Sequence, residues 1–191
     1  MNKKKTALLV SAASLVLLIC VILALIYTGM LHINNPSKKK YPIRGVDVSH
    51  YQGEVDWDRL KEENIQFAYI KATEGSKHKD VQFDKNWSDA QCVDLRIGAY
   101  HFFSLDSPGT DQAENFCSTV TPVEKMLPPV LQETFDDYDL WIRDVYRKPD
   151  PTVKWTFWQY SNRHVLSGYS GNERYIDMNG FCGSEEEFDK Y

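Results

Sequence analysis

Asp47, Glu74, Glu133 and Asp177 stand at the ends of strand-like runs, in "GVDVSHY", "FAYIKATEG", "LPPVLQET" and "YIDMN". Tyr100 with His101, Tyr146, Gln159 with Tyr160, and Asn179 hold similar strand-end places. In an α/β barrel the C-terminal strand ends form one mouth, so such residues would converge there. Carboxyl groups facing each other across a mouth can cleave an acetal. A protonated one gives its proton to the leaving oxygen, and a carboxylate stabilises the oxocarbenium-like centre. Aromatic rings beside them suit stacking on sugars. Each residue alone has a plainer reading. A strand-end Asp often caps the next helix, Glu74–Gly75 reads as a turn, and His101 as a hydrogen-bonded core histidine. Trp155 and Trp158 read as buried, one on each face of a strand. No zinc spacing, phosphate-cradling Gly loop or Ser-His-Asp pattern stands out, so neither metal nor cofactor is expected.

The elements that must position these residues follow a rhythm. "IRGVDVSHY" is a strand, and "VDWDRLKEENI" a helix capped by Asp56 with Trp57 and Leu60 on one face. "QFAYIKATEG" is a second strand, followed by a helix with Phe83, Trp87 and Ala90 in phase. "RIGAYHFF" is a third strand, and its helix spaces Ala113, Phe116 and Val120 on one side. "LPPVL" opens a fourth strand. Such alternation predicts a parallel α/β sheet or barrel. After residue 140 the strands "DLWIRDVY", "KWTFWQYS" and "YIDMN" are joined by loops, and "SEEEFDKY" reads as a solvated tail.

The bulk properties narrow the class. The chain has 191 residues and a formal charge of −5, enough for one core. Without a basic stripe beyond the first forty residues, a nucleic-acid partner is not expected. The 5 Trp, 11 Tyr and 9 Phe suit a large core or a sugar-stacking cleft. The four cysteines have no paired metal-ligand spacing, and three of them, Cys92, Cys117 and Cys182, leave open one disulfide or free thiols.

At the N-terminus, "MNKKK" precedes an uncharged run of about 21 residues, Ala7 to Tyr27, long enough to cross a bilayer core of roughly 30 Å. It exceeds the usual signal-peptide core and lacks a small-x-small cleavage site, so an uncleaved signal anchor is expected. Lys3, Lys4 and Lys5 would stay in the cytoplasm, although Lys38, Lys39 and Lys40 follow on the far side. The reading is therefore residues 1–30 as cytoplasmic tip and transmembrane anchor, 31–42 as linker, and 43–191 as an extracytoplasmic domain, monomeric and tied to membrane lipid by its helix. Secretion after signal cleavage is the alternative.

"GVDVSHYQGEVDW", "FAYIKATEG", "IGAYHFF", "DQAENF", "LPPVL", "WTFWQYS" and "YIDMN", in that order, resemble the glycoside hydrolase family 25 lysozymes, the Chalaropsis-type N-acetylmuramidases. The resemblance spans roughly residues 43 to 183. It implies a modified TIM-like α/β barrel and cleavage of the β-1,4 bond after N-acetylmuramic acid in peptidoglycan glycan strands. Asp47 and Asp177 match acidic residues of the family's catalytic centre. Tyr100, Gln159 and Tyr160 fall on motif positions near the cleft, with Tyr146 a similar substrate-binding candidate.

"LPPVLQETFDDYDLW" departs from the pattern. The family continues "PPVL" into Asp-x-Glu, whose Glu is the general acid. Here Gln132 takes the Asp position, and Glu133 sits one residue before the acid's place, which Thr134 takes. A one-residue offset in a strand turns the side chain to the other face. Glu133 is the nearest replacement on that strand and the third catalytic candidate. The join is also short. A crossover between parallel strands needs a dozen or more residues, and Gln132 to Asp139 cannot supply one. About 50 residues of ordinary αβα content are expected to be absent, leaving the barrel incomplete in its fifth-strand region. On this reading the runner-up function is an inactive peptidoglycan-binding or structural membrane protein.

Overall fold

A computed structural model describes residues 3–120 and 139–191. It contains two compact units, Met1–Ile33 and Asn34–Tyr191.

The first unit is one helix, α1 (Lys3–Tyr27). It is apolar around its whole circumference and carries no acidic residue. Its 25 residues span about 37 Å at 1.5 Å per residue, long and apolar enough to cross a membrane. Gly29 ends it with φ +72°, a left-handed conformation in which glycine has no Cβ penalty. The N–H groups of Gly29 and Met30 then reach the carbonyls of Ile26 and Leu25 at 3.1 and 3.0 Å.

The second unit is built on one curled sheet. Its strands are β1 (Arg44–Val48), β2 (Phe67–Glu74), β3 (His78–Lys79), β4 (Arg96–Phe102), β5 (Trp141–Arg143), β6 (Phe157–His164) and β7 (Ile176–Phe181). The spatial order is β4-β2-β1-β7-β6-β5, with β3 on the end of β2. β1, β2 and β4 are mutually parallel, as are β5 and β6. β7 runs antiparallel to both neighbours, because the loop after β6 leads straight back without a crossover helix. The sheet is mixed, where its first half alone predicts parallel strands throughout. The fourth predicted strand and Glu133 lie outside the described residues.

Helices α2 (Trp57–Glu62), α3 (Phe83–Gln91) and α4 (Gly109–Val120) cover the outer face of β1, β2 and β4. Asp56 caps α2 by accepting the Arg59 N–H at 3.0 Å, and Trp57 and Leu60 are buried. Phe83, Trp87 and Ala90 form the inner side of α3. On α4 the face is rotated by one residue: Gln112 is buried and Ala113 exposed. Apolar spacing cannot reveal this, because the Gln112 amide is fixed by hydrogen bonds. It accepts the Ser104 N–H at 2.9 Å and donates to the carbonyls of Ser104 and Ser107 at 2.7 and 2.8 Å.

The outer face of β6 and β1 is covered by a strap instead of a helix. Within the stretch expected to be a linker, Asn34, Pro36 and Tyr41 are buried. Asn34 donates to the carbonyls of Asp144 and Arg147 at 3.4 and 3.3 Å. Arg44 donates to the Pro36 carbonyl at 2.5 Å. The Tyr41 ring lies 5.9 Å from both Trp155 and Trp158. The two tryptophans also touch each other, centroids 6.0 Å apart, so they share one side.

The bottom of the curled sheet is plugged by aromatics. Ile43, Phe67, Phe157, Phe181 and Phe188 form one buried cluster. Phe188 comes from α5 (Glu185–Phe188), inside the stretch that reads as a solvated tail. Ser184 and Glu187 close a reciprocal capping box that starts this single turn. Phe188 is 6% exposed, with ring centroids 5.2 Å from Phe181 and 5.8 Å from Phe67. Phe188→Ala should therefore cost about 3 kcal/mol of stability, read as a lower denaturation midpoint. A change within about 0.5 kcal/mol would mean a solvated tail after all.

Candidate active site

Side chains alternate across a strand, so one residue in two of each strand enters the curl of the sheet. Gly45 and Asp47 of β1 do so, with Phe67, Tyr69 and Lys71 beside them on β2. A Cβ on Gly45 would stand 2.3 Å from the Phe67 ring, so only glycine leaves that ring its place. Above this aromatic floor the polar residues collect.

Asp47 and Asp177 are directly opposed across the β1–β7 pair. The Asn179 side-chain amide donates to Asp47 Oδ2 at 2.8 Å. Asn179 is itself held by the Trp141 indole N–H, 2.9 Å from its Oδ1. Trp141 stacks on Tyr69 at 4.7 Å and meets Tyr100 edge-on at 5.8 Å. The curl of the sheet thus brings β5 against β2 and β4, and the chain Trp141–Asn179–Asp47 fixes one carboxyl group. Trp141→Phe keeps the stack but strips Asn179 Oδ1 of its donor in a buried site. A loss of about 1–2 kcal/mol in stability is expected, measured by denaturant unfolding. A neutral result would show that water replaces the indole.

Burial pushes the Asp47 carboxyl well above the ordinary carboxylate range, and repulsion from Asp177 adds to this, while the Asn179 hydrogen bond opposes it. Asp177 is raised too, again first by burial; hydrogen bonds from Asp47 and Gln159 and the charge of Arg143 oppose the rise. A buried carboxyl and a half-buried one directly opposite it do not both ionise readily. Burial and mutual repulsion therefore favour one proton held between them. Burial also drives the Tyr100 phenol far up, so it stays a neutral donor.

A cleft of about 380 Å³ opens above the pair, lined by Asp47, Asp177, Tyr100, Lys71, Arg143 and Tyr51 among others. Lys71 is buried and hydrogen-bonded to Glu74, whose carboxyl it lowers. Its ammonium also lies 5.0 Å from the Phe102 ring centroid. The end of β6 adds Arg163 and the loop after it Glu173 and Tyr175, with the Arg163 guanidinium 5.2 Å from the Tyr175 ring. Among the described residues no three His, Cys, Asp or Glu side chains converge as a metal-binding group.

The sequence candidates are distributed unevenly. Asp47, Asp177 and Tyr100 line the cleft. Gln159 is buried beneath it, bonded to Asp177. Tyr160 does not face it. At 2% exposure its ring packs 5.8 Å from Trp158, under the Arg44 guanidinium at 4.9 Å, on the outer face. Tyr146 is 72% exposed on the loop after β5, away from the cleft lining. His101 bonds Thr73 and Gln112 at 2.7 and 3.0 Å, a half-buried histidine with both ring nitrogens partnered. Lys71 and Arg143 are the additions. A lysine amid "FAYIKATE", two positions beyond Tyr69, is the signal that marks Lys71 as facing the interior.

Two opposed carboxyls, both raised above the ordinary carboxylate range, and a cleft walled by aromatics and cations make an acid site suited to a polar, ring-shaped substrate. The sequence profile of Glycosyl hydrolases family 25 matches residues 46–132. Lysozyme M1 of Streptomyces globisporus is 30% identical over an alignment covering 74% of this chain and 68% of the lysozyme. A family 25 glycosyl hydrolase from Bacillus anthracis superposes with a TM-score of 0.68 at 37% identity, covering 84% of this chain and 97% of its own. A bacterial lysozyme from Streptomyces coelicolor gives a TM-score of 0.59 at 27% identity, covering 76% and 94%. With its mixed, curled sheet and paired strand-end carboxyls, the chain belongs to the glycoside hydrolases of family 25.

Proposed function

We propose that this protein is a lysozyme-type hydrolase of the β-1,4 bond between N-acetylmuramic acid and N-acetylglucosamine in peptidoglycan. We further propose that it is held in the cell membrane by α1, with residues beyond the anchor outside the cytoplasm. The observation that carries the first reading is the Asp47–Asp177 pair on the cleft floor in a chain of this family. Asp47 and Asp177 are proposed as catalytic, Tyr100 and Gln159 as placing the sugar. Tyr146 and Tyr160, on their positions in the fold, would act only indirectly. The second reading is supported by the apolar circumference and 25-residue length of α1.

One feature favours a weaker enzyme, or a binding protein derived from one. Gln132-Glu133-Thr134 stands where the family resemblance calls for Asp-x-Glu. The alignments point the same way. With an Escherichia coli relative, 203 aligned positions take in 79% of this chain. That share of 191 residues is about 151, which leaves about 52 positions with no residue here. This supports a missing αβα segment at the join after Gln132.

Digestion of purified sacculi, borohydride reduction and sugar analysis test the reading. New muramitol is expected. New glucosaminitol would overturn the bond assignment. Co-sedimentation with sacculi and no new reducing ends would establish the binding protein instead.

A further inference from the structure

The three lysines 38–40 look out of place behind a transmembrane anchor if they sit on a loose stalk. They do not. Lys38–Lys40 form a turn closed by the Ser37 carbonyl, which accepts the N–H groups of Lys40 and Tyr41, each at 3.0 Å. The Lys39 N–H adds a bond to Ser37 Oγ at 3.3 Å. Buried Tyr41 on one side and buried Pro36 and Asn34 on the other staple the turn to the barrel. Its three lysine side chains are exposed. Arg147 and Lys148, also exposed, lie on the loop whose carbonyl Asn34 holds. Among acids, Glu63 feels the charge of Lys38, as the smallest of the influences on it.

The tether is short. Only Thr28–Ile33 separate α1 from the packed strap, and these include exposed Met30, Leu31 and Ile33. Apolar residues there prolong the membrane-seeking run into the headgroup zone. Lys38 follows Ile33 by five residues, a reach of about 17 Å when fully extended. Anionic headgroups attract lysines within a Debye length, about 8–10 Å.

We propose that the rigid Lys38–Lys40 turn docks on anionic lipid headgroups and seats the barrel on the membrane instead of letting it swing on a stalk. The proposal rests on the anchor reading of α1. It confines the cleft to glycan strands near the membrane surface.

The full-length chain is placed in nanodiscs of phosphatidylcholine, alone or with a third phosphatidylglycerol. Lysines are acetylated under limiting reagent and read by mass spectrometry. Labelling of Lys38–Lys40 should slow about fivefold in the anionic discs and recover at molar salt. Exposed Lys77, which lines a pocket with His50 and Tyr51, should not change. Equal labelling in both discs overturns the docking. Slowing caused only by an added soluble glycerol-phosphate polymer overturns it in favour of a wall polymer. A chain stripped from membranes by carbonate fails the anchor reading, and the proposal with it; retention without protection fails the docking alone.

Discussion

Purified full-length protein should release reducing ends from peptidoglycan about 10²–10⁴ times more slowly than a repaired chimera. The repair has two parts. Gln132→Asp with Thr134→Glu rebuilds the Asp-x-Glu strand end, and a family segment of about fifty residues is inserted before Asp139. The expectation follows from which groups stay fixed. Asp47 and Asp177 are locked by strand pairing, Asn179 and Trp141. Both carboxyls are raised above the ordinary range, which favours one proton held between them low in the cleft. Glycoside cleavage also needs a protonated carboxyl beside the leaving oxygen, on the other side of the bond from the stabilising carboxylate. A positioned general acid supplies a rate factor of the size just stated. Glu133 could stand in only with an apolar surround that keeps its proton. If the unaltered chain already matches the chimera, Glu133 suffices, and Glu133→Gln should then silence it. If the chimera stays silent while folded, the deficit lies elsewhere in the cleft.

Much of this site is legible in the amino-acid sequence, and the reasons for the rest are physical. Asp47 and Asp177 stand out because strand ends are where a barrel gathers polar groups. Their direct opposition is not legible, because it depends on β7 running antiparallel. Gln159 and Tyr160 cannot both face one cleft, since neighbours on a strand point to opposite faces. The aromatic ring, attractive as a sugar platform, is the one that faces out, where Arg44 and Trp158 pack on it. Glu173 and Tyr175 come from a loop without periodicity, so spacing is silent about them. Charge hides packing twice. Three lysines mask a strap pinned by Asn34, Pro36 and Tyr41, and three glutamates mask the plug residue Phe188. A single buried side chain in a polar run has no pattern to betray it.

Asp47→Asn should stabilise the fold at neutral pH while abolishing what catalysis the repaired chimera shows. Burial and the neighbouring Asp177 raise the Asp47 carboxyl well above its ordinary range, and Asp177 is raised with it. A carboxyl raised in the folded state binds its proton more tightly there than in the unfolded chain. Its contribution to stability is complete below the ordinary carboxylate range near about pH 4. It is lost as pH rises through the raised folded-state values. The wild-type protein should therefore lose stability between mildly acidic and neutral pH. The Asn amide mimics protonated Asp47. Its oxygen can accept from Asn179, and its N–H can donate to an ionised Asp177. One buried charge and one like-charge repulsion then vanish without a lost hydrogen bond. A gain of about 1–3 kcal/mol at neutral pH is expected, with a flatter pH profile and no gain in acid. In the chimera the same change should cost about 10²–10⁴ in rate, because a neutral amide cannot take on the negative charge that stabilises the oxocarbenium-like centre. Thermal unfolding of the full-length protein across this pH range checks the first half, and reducing-end release checks the second. A variant that is less stable at neutral pH, or whose profile runs parallel to wild type, would show that the pair is solvated and shares no proton.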